Sequence, residues 1–416
     1  MRKVLQHFSV FAFCLVSVVS FGQTPQNTPR HPVVLDSSFF KNLAAAPQHP
    51  RVNRLSASTN AAMANEASGS AQTVQIRTVP HFSSSFTFQG QTFPFTMVGH
   101  RPQAGGTTRV DTAYVPISFV FDEFVDANGN NIVIDANAIT GEILGSPDFV
   151  RSQFTTGNTQ FSDAIQRAEF FGVLRQSDRD GDEDDESWHT LLERPRILTP
   201  VTVEVPFGSS IVFQLADGSF GTLMDINFIN SQLNTLLQTE GVRITELPIF
   251  VTRNAVYGDF FAGNQLDCYI GGFHAAFETA QNGNTISVQT FAFATALDAD
   301  ASDAIFGDPT VFADVGALSH EVAEWMNDPF GNNIVPAWEF PGISPPVCQG
   351  NLETGDPVEN LFHPFFPITL NGFTYHPQTE ALLEWFSRQN PSSAIGGAFS
   401  YPDTTKLPGP SVACPF

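Results

Sequence analysis

The sequence is poor in basic residues, in cysteine and in long apolar runs. Its 416 residues include 19 Lys and Arg against 42 Asp and Glu, which gives a formal net charge of −23. A surface of that sign repels nucleic acid and anionic lipid, so neither a nucleic acid nor a membrane is expected as a partner. The sequence also has no Gly-x-Ser-x-Gly elbow, Walker loop, dinucleotide fingerprint or Cys-x-x-Cys pair. The function classes that depend on those motifs therefore have no support.

The longest apolar run lies at the N-terminus. Arg2 and Lys3 precede the apolar residues 8–19, and small residues stand just before Gln23. This pattern predicts a signal peptide over residues 1–22, because the apolar run is too short to anchor the chain in a membrane. We expect the mature protein to be soluble and either secreted or periplasmic. Loss of the two cations, with no acidic residue in the leader, would change its net charge from −23 to −25.

Export would leave three cysteines, Cys268, Cys348 and Cys414. At most one disulfide can form among three thiols. A Cys348–Cys414 bond is expected, because it would hold the C-terminal tail near the acidic residues 353–356. Cys268 lies in an apolar, strand-like run and is expected to be a buried, inert thiol.

Residues 23–75 are rich in Pro, Ala, Ser, Asn and Gln and contain few aromatic residues. Such a composition cannot bury much surface. We therefore expect a disordered linker or a propeptide-like segment. From residue 76 the pattern changes to strands, which predicts a β-rich region over residues 76–150, followed by a larger unit over residues 151–416. Within the β-rich region, the alternating residues 82–97 are interrupted by a glycine turn and predict a hairpin.

A strong strand is predicted at residues 114–121. It contains Pro116, which indicates an edge strand or a first residue, because proline cannot donate a ladder hydrogen bond. Residues 126–130 read Asp-Ala-Asn-Gly-Asn and predict a tight turn. The oxygens of this turn are also of the type that binds calcium.

Residues 160–174 predict a helix that leads into the acidic stretch 178–186. Alternating acids in this stretch resemble the first half of a calcium-binding EF-hand loop, because hard oxygens at every second position can surround one cation. His189 stands at the twelfth position, where a complete loop has a bidentate Glu. Either a calcium site or a solvated acidic loop fits the pattern. The candidate calcium ligands are Asp178, Asp180 and Asp182.

The remaining chain alternates between strands and helices. Helices are predicted at residues 223–239 and 379–388. We expect an α+β fold, in which the leading β-rich region is continuous with, or packed on, this larger unit. Predicted strands lie at residues 201–205, 210–215, 247–252, 268–277 and 286–296.

The most informative stretch contains His-Glu-x-x-Glu at residues 320–324. On a helix, His320 and Glu324 lie one above the other on a single face, so both could bind one divalent metal from a rigid support. Glu321 is about 100° round the helix, where it could hold a water against the same metal.

Flanking residues predict where this helix begins and ends. Asp308 and Pro309 suit the N-cap and the first helical position. Asp328 precedes Pro329, and the residue before proline avoids the helical region, so the helix should end there. Gly316 is unfavourable inside a helix and could instead mark a close approach by another part of the chain.

The motif helix resembles that of the zincin metallopeptidases, in which a His-Glu-x-x-His helix binds zinc and its Glu acts as general base. Glu324 takes the place of the second His, and zinc accepts carboxylate oxygen. The segment 351–356, Asn-Leu-Glu-Thr-Gly-Asp, is similar to the third-ligand segment of thermolysin-like enzymes. There, a Glu binds zinc and a nearby Asp orients a ligand His. The order of elements before the motif is also similar to that of a zincin catalytic domain.

This resemblance implies a secreted zinc-dependent peptidase acting on peptide or protein substrates. His320, Glu324 and Glu353 would bind zinc. Asp356 would orient His320, or would be the third ligand in place of Glu353. Glu321 would accept a proton from the zinc-activated water that attacks the peptide carbonyl.

Further residues could complete such a site. Tyr375 and His376 either polarise the substrate carbonyl or form an ordinary surface pair. The predicted strand 289–296 would offer its edge to an extended peptide. The alternative function is a non-catalytic secreted binding or structural protein on a zincin-like scaffold, stabilised by calcium in the acidic loop. Other possible third ligands are Glu339, Glu359 and His363.

Overall fold

The computed structural model has an α+β fold, as predicted, in which helices cover a curled mixed sheet. It describes residues 30–32, 44–45, 55–67, 74–177, 188–258, 260–261, 265–266 and 268–414. The predicted signal peptide, residues 1–22, lies outside these ranges. For Cys268 only the backbone is described, so the prediction of a buried, inert thiol stays a prediction. Within the described ranges, no helix has the length and apolar character needed to cross a membrane.

The bounds of the elements are as follows. In the first half of the chain the strands are β1 (Ala44–Ala45), β2 (Gln75–Arg77), β3 (His81–Phe88), β4 (Gln91–Val98), β5 (Thr107–Val125), β6 (Asn131–Ile134), β7 (Ser152–Phe154), β8 (Gly157–Thr159), β9 (His189–Leu192) and β10 (Arg196–Ile197). They continue as β11 (Val201–Val205), β12 (Ser210–Gln214), β13 (Phe220–Asp225), β14 (Glu246–Arg253), β15 (Ala255–Gly258), β16 (Phe260–Phe261), β17 (Gln265–Leu266), β18 (Cys268–Tyr269), β19 (Gly272–Asn282) and β20 (Thr285–Ala296). The C-terminal strands are β21 (Ile334–Glu339), β22 (Cys348–Asn351), β23 (Ile368–Leu370), β24 (Phe373–Tyr375), β25 (Glu380–Ala381) and β26 (Ser400–Tyr401). The helices are α1 (Ala57–Ala67), α2 (Thr140–Leu144), α3 (Phe161–Glu169), α4 (Phe171–Ser177), α5 (Ile226–Thr239), α6 (Ala299–Phe306), α7 (Gly316–Asn327), α8 (Asp356–Glu359) and α9 (Leu383–Phe386).

The largest sheet has the strand order β10-β5-β14-β20-β19, with β2, β6, β9 and β11 added at its sides. Strands β5, β14 and β20 are parallel to one another, whereas β19 is antiparallel to β20. Among the described strands, β19 pairs only with β20 and is therefore the edge strand. Strand β20 lies between β14 and β19, so the prediction that residues 289–296 offer a free edge is wrong.

Pro116 lies in the interior of this sheet. On one side it faces Val251 of β14. On the other side, Tyr114 pairs with β10 and Ile117 pairs with β11. The prediction of an edge strand or a first residue is therefore wrong. Proline is tolerated here because two short strands leave a gap in the ladder beside it.

The motif helix α7 begins at Gly316 and not near Asp308. Asp308 Oδ1 instead accepts a hydrogen bond at 2.9 Å from the backbone N–H two residues on, which makes a turn. Phe312 and Asp314 then have φ values of 54° and 45°, in the left-handed region that interrupts a helix. The predicted end is confirmed, because Asp328 is the C-cap of α7.

Three other helices differ in extent from their predictions. The helix predicted at residues 160–174 is divided at Phe170 into α3 and α4. The helix predicted at residues 223–239 begins as strand β13, and only after Asp225, whose side chain caps it, does α5 start. Residues 379–388 contain β25 and the single turn α9.

Several local predictions are confirmed. Strands β3 and β4 form the predicted hairpin. The turn at residues 126–130 is present, with Gly129 N donating to Asp126 O at 3.1 Å. Cys348 and Cys414 form the expected disulfide.

Part of the segment predicted to be a disordered linker or propeptide is ordered. Residues 57–67 form α1, which packs against the β3–β4 hairpin. Met63 lies in a small core with Ala276 of β19. Ser56 N donates to Glu278 Oε1 on the same strand at 2.7 Å. The N-terminal segment therefore covers part of the edge strand.

Candidate metal centre

Helix α7 brings the motif into a fully buried region. It packs against β19, β20, β4 and α3. Its apolar side chains Val322 and Trp325 join the core formed with β14 and β20. The polar motif side chains are also buried, and such groups are costly unless they have charged or hydrogen-bonding partners. Their exposures are 2% for His320, 1% for Glu321 and 1% for Glu324.

The predicted pair His320 and Glu324 converges with Asp356, the first residue of α8. His320 Nε2 is 3.1 Å from Glu324 Oε1 and 3.8 Å from Asp356 Oδ1. One ligand atom from each of the three residues lies within 4.8 Å of the others. Asp356 therefore faces the same imidazole nitrogen as Glu324, which suits a ligand better than a residue that orients His320 from behind.

His274, on edge strand β19, belongs to the cluster and was not predicted. Its Nδ1 is 3.5 Å from Glu321 Oε2 and 3.5 Å from Glu324 Oε2. Its Nε2 donates to the backbone carbonyl of Asp328 at 3.1 Å. Nothing in the local sequence marks this histidine. The available signal was its place in one of the two predicted strands that precede the motif helix.

Glu353 lies on the His274 side of the cluster. Its Oε2 is 3.8 Å from His274 Nε2. Glu353 is in neither converging group of described residues, whereas Asp356, the predicted alternative to it, converges with His320 and Glu324. Among the described residues, the ligand atoms converge in two groups, one at His274 and one at His320. Neither group contains the remaining third-ligand candidates, Glu339, Glu359 and His363.

Two glycines allow the backbone to approach the motif closely. A Cβ at Gly355 would lie 2.6 Å from Cγ of the His320 ring. A Cβ at Gly272 would lie 2.7 Å from Cγ of Glu321. The Gly355 N–H also donates to Glu324 Oε1 at 3.1 Å. No larger residue fits at either position without moving a motif side chain.

Polar side chains orient the cluster from outside. Gln349 donates to Asp356 Oδ2. Gln378 Nε2 donates to Gly355 O at 2.8 Å, and its backbone N–H donates to Ser319 Oγ at 2.9 Å. These bonds join strand β22, the segment before α8 and the motif helix, so the acidic segment is fixed relative to His320.

The charges of the cluster shift its pKa values strongly. Burial lowers the pKa of His274 and of His320, but the facing carboxylates, chiefly Glu321 and Glu324, outweigh this effect and raise both well above the ordinary histidine value. Burial raises the pKa of Glu324, but the two histidines hold it well below its usual range. Glu380, which was not predicted either, is a buried neighbour of His320, and burial raises its pKa well above the usual range.

Tyr375 and His376 are held beside the start of α7. The Tyr375 hydroxyl donates to Glu142 O on α2 at 3.0 Å. His376 Nδ1 is 2.8 Å from Asp314 Oδ2. The structure does not bring the Tyr375 hydroxyl to His320 or Glu321. The candidate calcium ligands lie outside the described residues, so the calcium prediction stays a prediction; they are Asp178, Asp180 and Asp182.

The donor set fits a divalent metal such as zinc. Imidazole nitrogen and carboxylate oxygen are both zinc ligands. Glu321 Oε2 and Glu324 Oε2 are buried and accept no hydrogen bond, which is costly for carboxylates unless a cation is close.

No protein-family model, curated protein or solved structure matches this chain. The resemblance to the zincins therefore rests on the sequence motifs at residues 320–324 and 351–356 alone.

Proposed function

We propose that this chain is an exported zinc-dependent peptidase with a zincin-like catalytic unit. The observation that carries the proposal is the convergence of His320, Glu324 and Asp356 at one buried point, with Glu321 beside them on the same helix. Three protein ligands leave a position open for water or substrate. The signal-like N-terminus supports export.

Each residue has a separate role in this proposal. His320, Glu324 and Asp356 would hold the zinc, which would supply a Lewis acid and make the attacking water more acidic. Glu321 accepts the proton of the attacking water and later returns it to the leaving amine. Because Gly272 has no side chain, strand β19 can lie close to Glu321. The Glu321 side chain is therefore held between β19 and its own helix, α7.

Edge strand β19 is the better candidate for holding a peptide substrate. Its backbone groups on the side away from β20 pair with no described strand. An extended peptide can add to such an edge through main-chain hydrogen bonds. Because β19 carries His274, a peptide bound there would lie close to Glu321.

Substitution of Glu321 by Gln tests the proposal. The change keeps shape while removing the basic oxygen, so zinc held by the His320 group should remain. Turnover should fall by about 10²–10⁴-fold, the usual contribution of a general base. The measurement is digestion of an unbiased peptide library by wild type and Glu321→Gln, each with its zinc content determined. Equal cleavage by both proteins would contradict the proposed role of Glu321.

The burial of the cluster favours a second candidate function, a non-catalytic binding or structural protein that holds zinc to stabilise its fold. Structural zinc sites are closed to solvent, and the motif side chains here are only 1–2% exposed. A zinc-loaded wild type that cleaves no peptide, and that melts at a lower temperature after zinc removal, would favour this second function.

A further inference from the structure

His274 presents one particular nitrogen to the cluster. A backbone carbonyl can only accept a hydrogen bond, so the 3.1 Å contact with Asp328 O places a hydrogen on His274 Nε2. In the neutral ring, Nδ1 then carries the lone pair. This is the nitrogen that faces Glu321 Oε2 and Glu324 Oε2.

The distances suit shared coordination better than hydrogen bonding. Both oxygens are 3.5 Å from His274 Nδ1, whereas a charge-assisted hydrogen bond is about 2.7–2.9 Å long. Two ligand atoms of one tetrahedral zinc lie roughly 3.4 Å apart, given metal–ligand bonds of about 2.0–2.2 Å. Both carboxylate oxygens are buried and accept no hydrogen bond.

Glu324 faces two groups with its two oxygens. Oε1 lies 3.1 Å from His320 Nε2, and Oε2 lies 3.5 Å from His274 Nδ1. The two sets of converging ligand atoms are His274, Glu321 and Glu324, and His320, Glu324 and Asp356. A carboxylate that belongs to both sets can bridge two cations, whereas the histidine of the common motif would offer only one lone pair.

The charge of the second set supports the same reading. Glu321 and Glu324 bring two carboxylates together at His274, and one oxygen of each is buried and accepts no hydrogen bond. A cation between these oxygens would offset their charge with His274 neutral, which is the form that binds metal.

We infer that this chain binds two divalent cations, the second held by His274, Glu321 and Glu324, with Glu324 as the bridging carboxylate. The inference rests on the proposed zinc site for its first cation. Bridged pairs of this kind lie about 3.5–4 Å apart. Glu321 then has a ligand role through Oε2 in addition to any role in proton transfer.

Metal stoichiometry tests the inference without relying on activity. Metal-free full-length protein is titrated with Zn²⁺, and bound zinc is measured by mass spectrometry after removal of excess ion. Wild type should bind two equivalents. His274→Ala and Glu324→His should each bind one, and His363→Ala, which removes an exposed histidine, should bind two. Circular dichroism of each variant shows whether it is folded.

A cobalt form gives a second readout that does not depend on a variant. Two Co²⁺ ions joined by Glu324 should show spin coupling in electron paramagnetic resonance, and the coupling should be absent in Glu324→His.

The possible results separate the two proposals. One equivalent in wild type that is unaffected by His274→Ala would overturn the second site while leaving the proposed zinc site intact. One equivalent that is lost in both His274→Ala and His320→Ala would mean a single cation between the histidines, and would also overturn the inference. No bound zinc would overturn the proposed function as well.

Discussion

Gly355 limits the position of the His320 ring by its lack of a side chain. Its φ is −80°, so an L-residue could adopt the backbone conformation. The restriction is steric, because any Cβ would overlap the His320 ring. A larger residue at position 355 should therefore displace the His320 ring and weaken metal binding, without straining the backbone.

We predict that Gly355→Ala lowers zinc affinity by roughly 10–100-fold, the usual cost of disturbing a residue that orients a ligand. The measurement is competition against a chelator of known affinity. Gly350→Ala is the matched control, because its Cβ would have no heavy atom closer than 3.7 Å. Equal affinities in the two variants would show that His320 does not need this close contact.

The sequence alone could predict the motif residues but not all of their partners. His320, Glu321 and Glu324 were identifiable because helical spacing fixes their geometry from local sequence. His274 lies 46 residues before His320, and its position depends on how β19 packs against α7. No local pattern encodes that long-range contact.

At the scale of single elements, the disulfide connects the site to the C-terminal tail. Cys348 and Cys414 are separated by 66 residues, and the loop they close contains Gln349 and Asp356. A crosslink of this span restricts the unfolded chain strongly.

We predict that Cys348→Ser/Cys414→Ser loses about 4 kcal/mol of unfolding free energy, the value expected for a loop of this length. Denaturant unfolding measures the loss. A reductant should destabilise wild type by a similar amount and should leave the double variant unchanged. If the reductant affects both proteins equally, its effect does not come from this bond.

Local signals identified the motif helix and the β3–β4 hairpin, but residues predicted as helix lie partly in strands β13 and β25. Asp308 does cap a backbone N–H, as its sequence predicted, but it caps a turn, and α7 starts only after Asp314. Pro116 was predicted to lie at an edge or at the start of a strand, but it lies inside the sheet. It is tolerated there because β10 and β11 pair with β5 before and after the proline and leave a gap in the ladder beside it. In both cases tertiary packing, which local sequence does not encode, decided the outcome.

At the scale of the whole molecule, buried acids should make stability depend on pH. Burial raises the pKa of Asp148 to about 7 and that of Glu384 to about 7. The native state then holds protons that the unfolded chain has already lost above about pH 4. The contribution of these two groups to the unfolding free energy is therefore greatest below that pH and decreases as pH rises towards 7.

We predict that Asp148→Asn makes this decrease less steep. One such group contributes up to roughly 4 kcal/mol between about pH 4 and 7, since each pKa unit is worth about 1.4 kcal/mol. Chemical denaturation of metal-free protein at several pH values measures the slope. Asp126→Asn is the control, because Asp126 is exposed and hydrogen bonds to Asn130 lower its pKa. An unchanged slope in Asp148→Asn would contradict the prediction.

The close packing of Gly272 and Gly355 against the motif also defines what a related sequence must contain. His-Glu-x-x-Glu alone is short enough to occur by chance in many chains. A chain that builds the same centre needs Gly-x-His on a strand before the motif helix and Gly-Asp after it, as at residues 272–274 and 355–356. A chain found with this three-part signature becomes a candidate for the same cluster only if its strand and helix bring the three parts together.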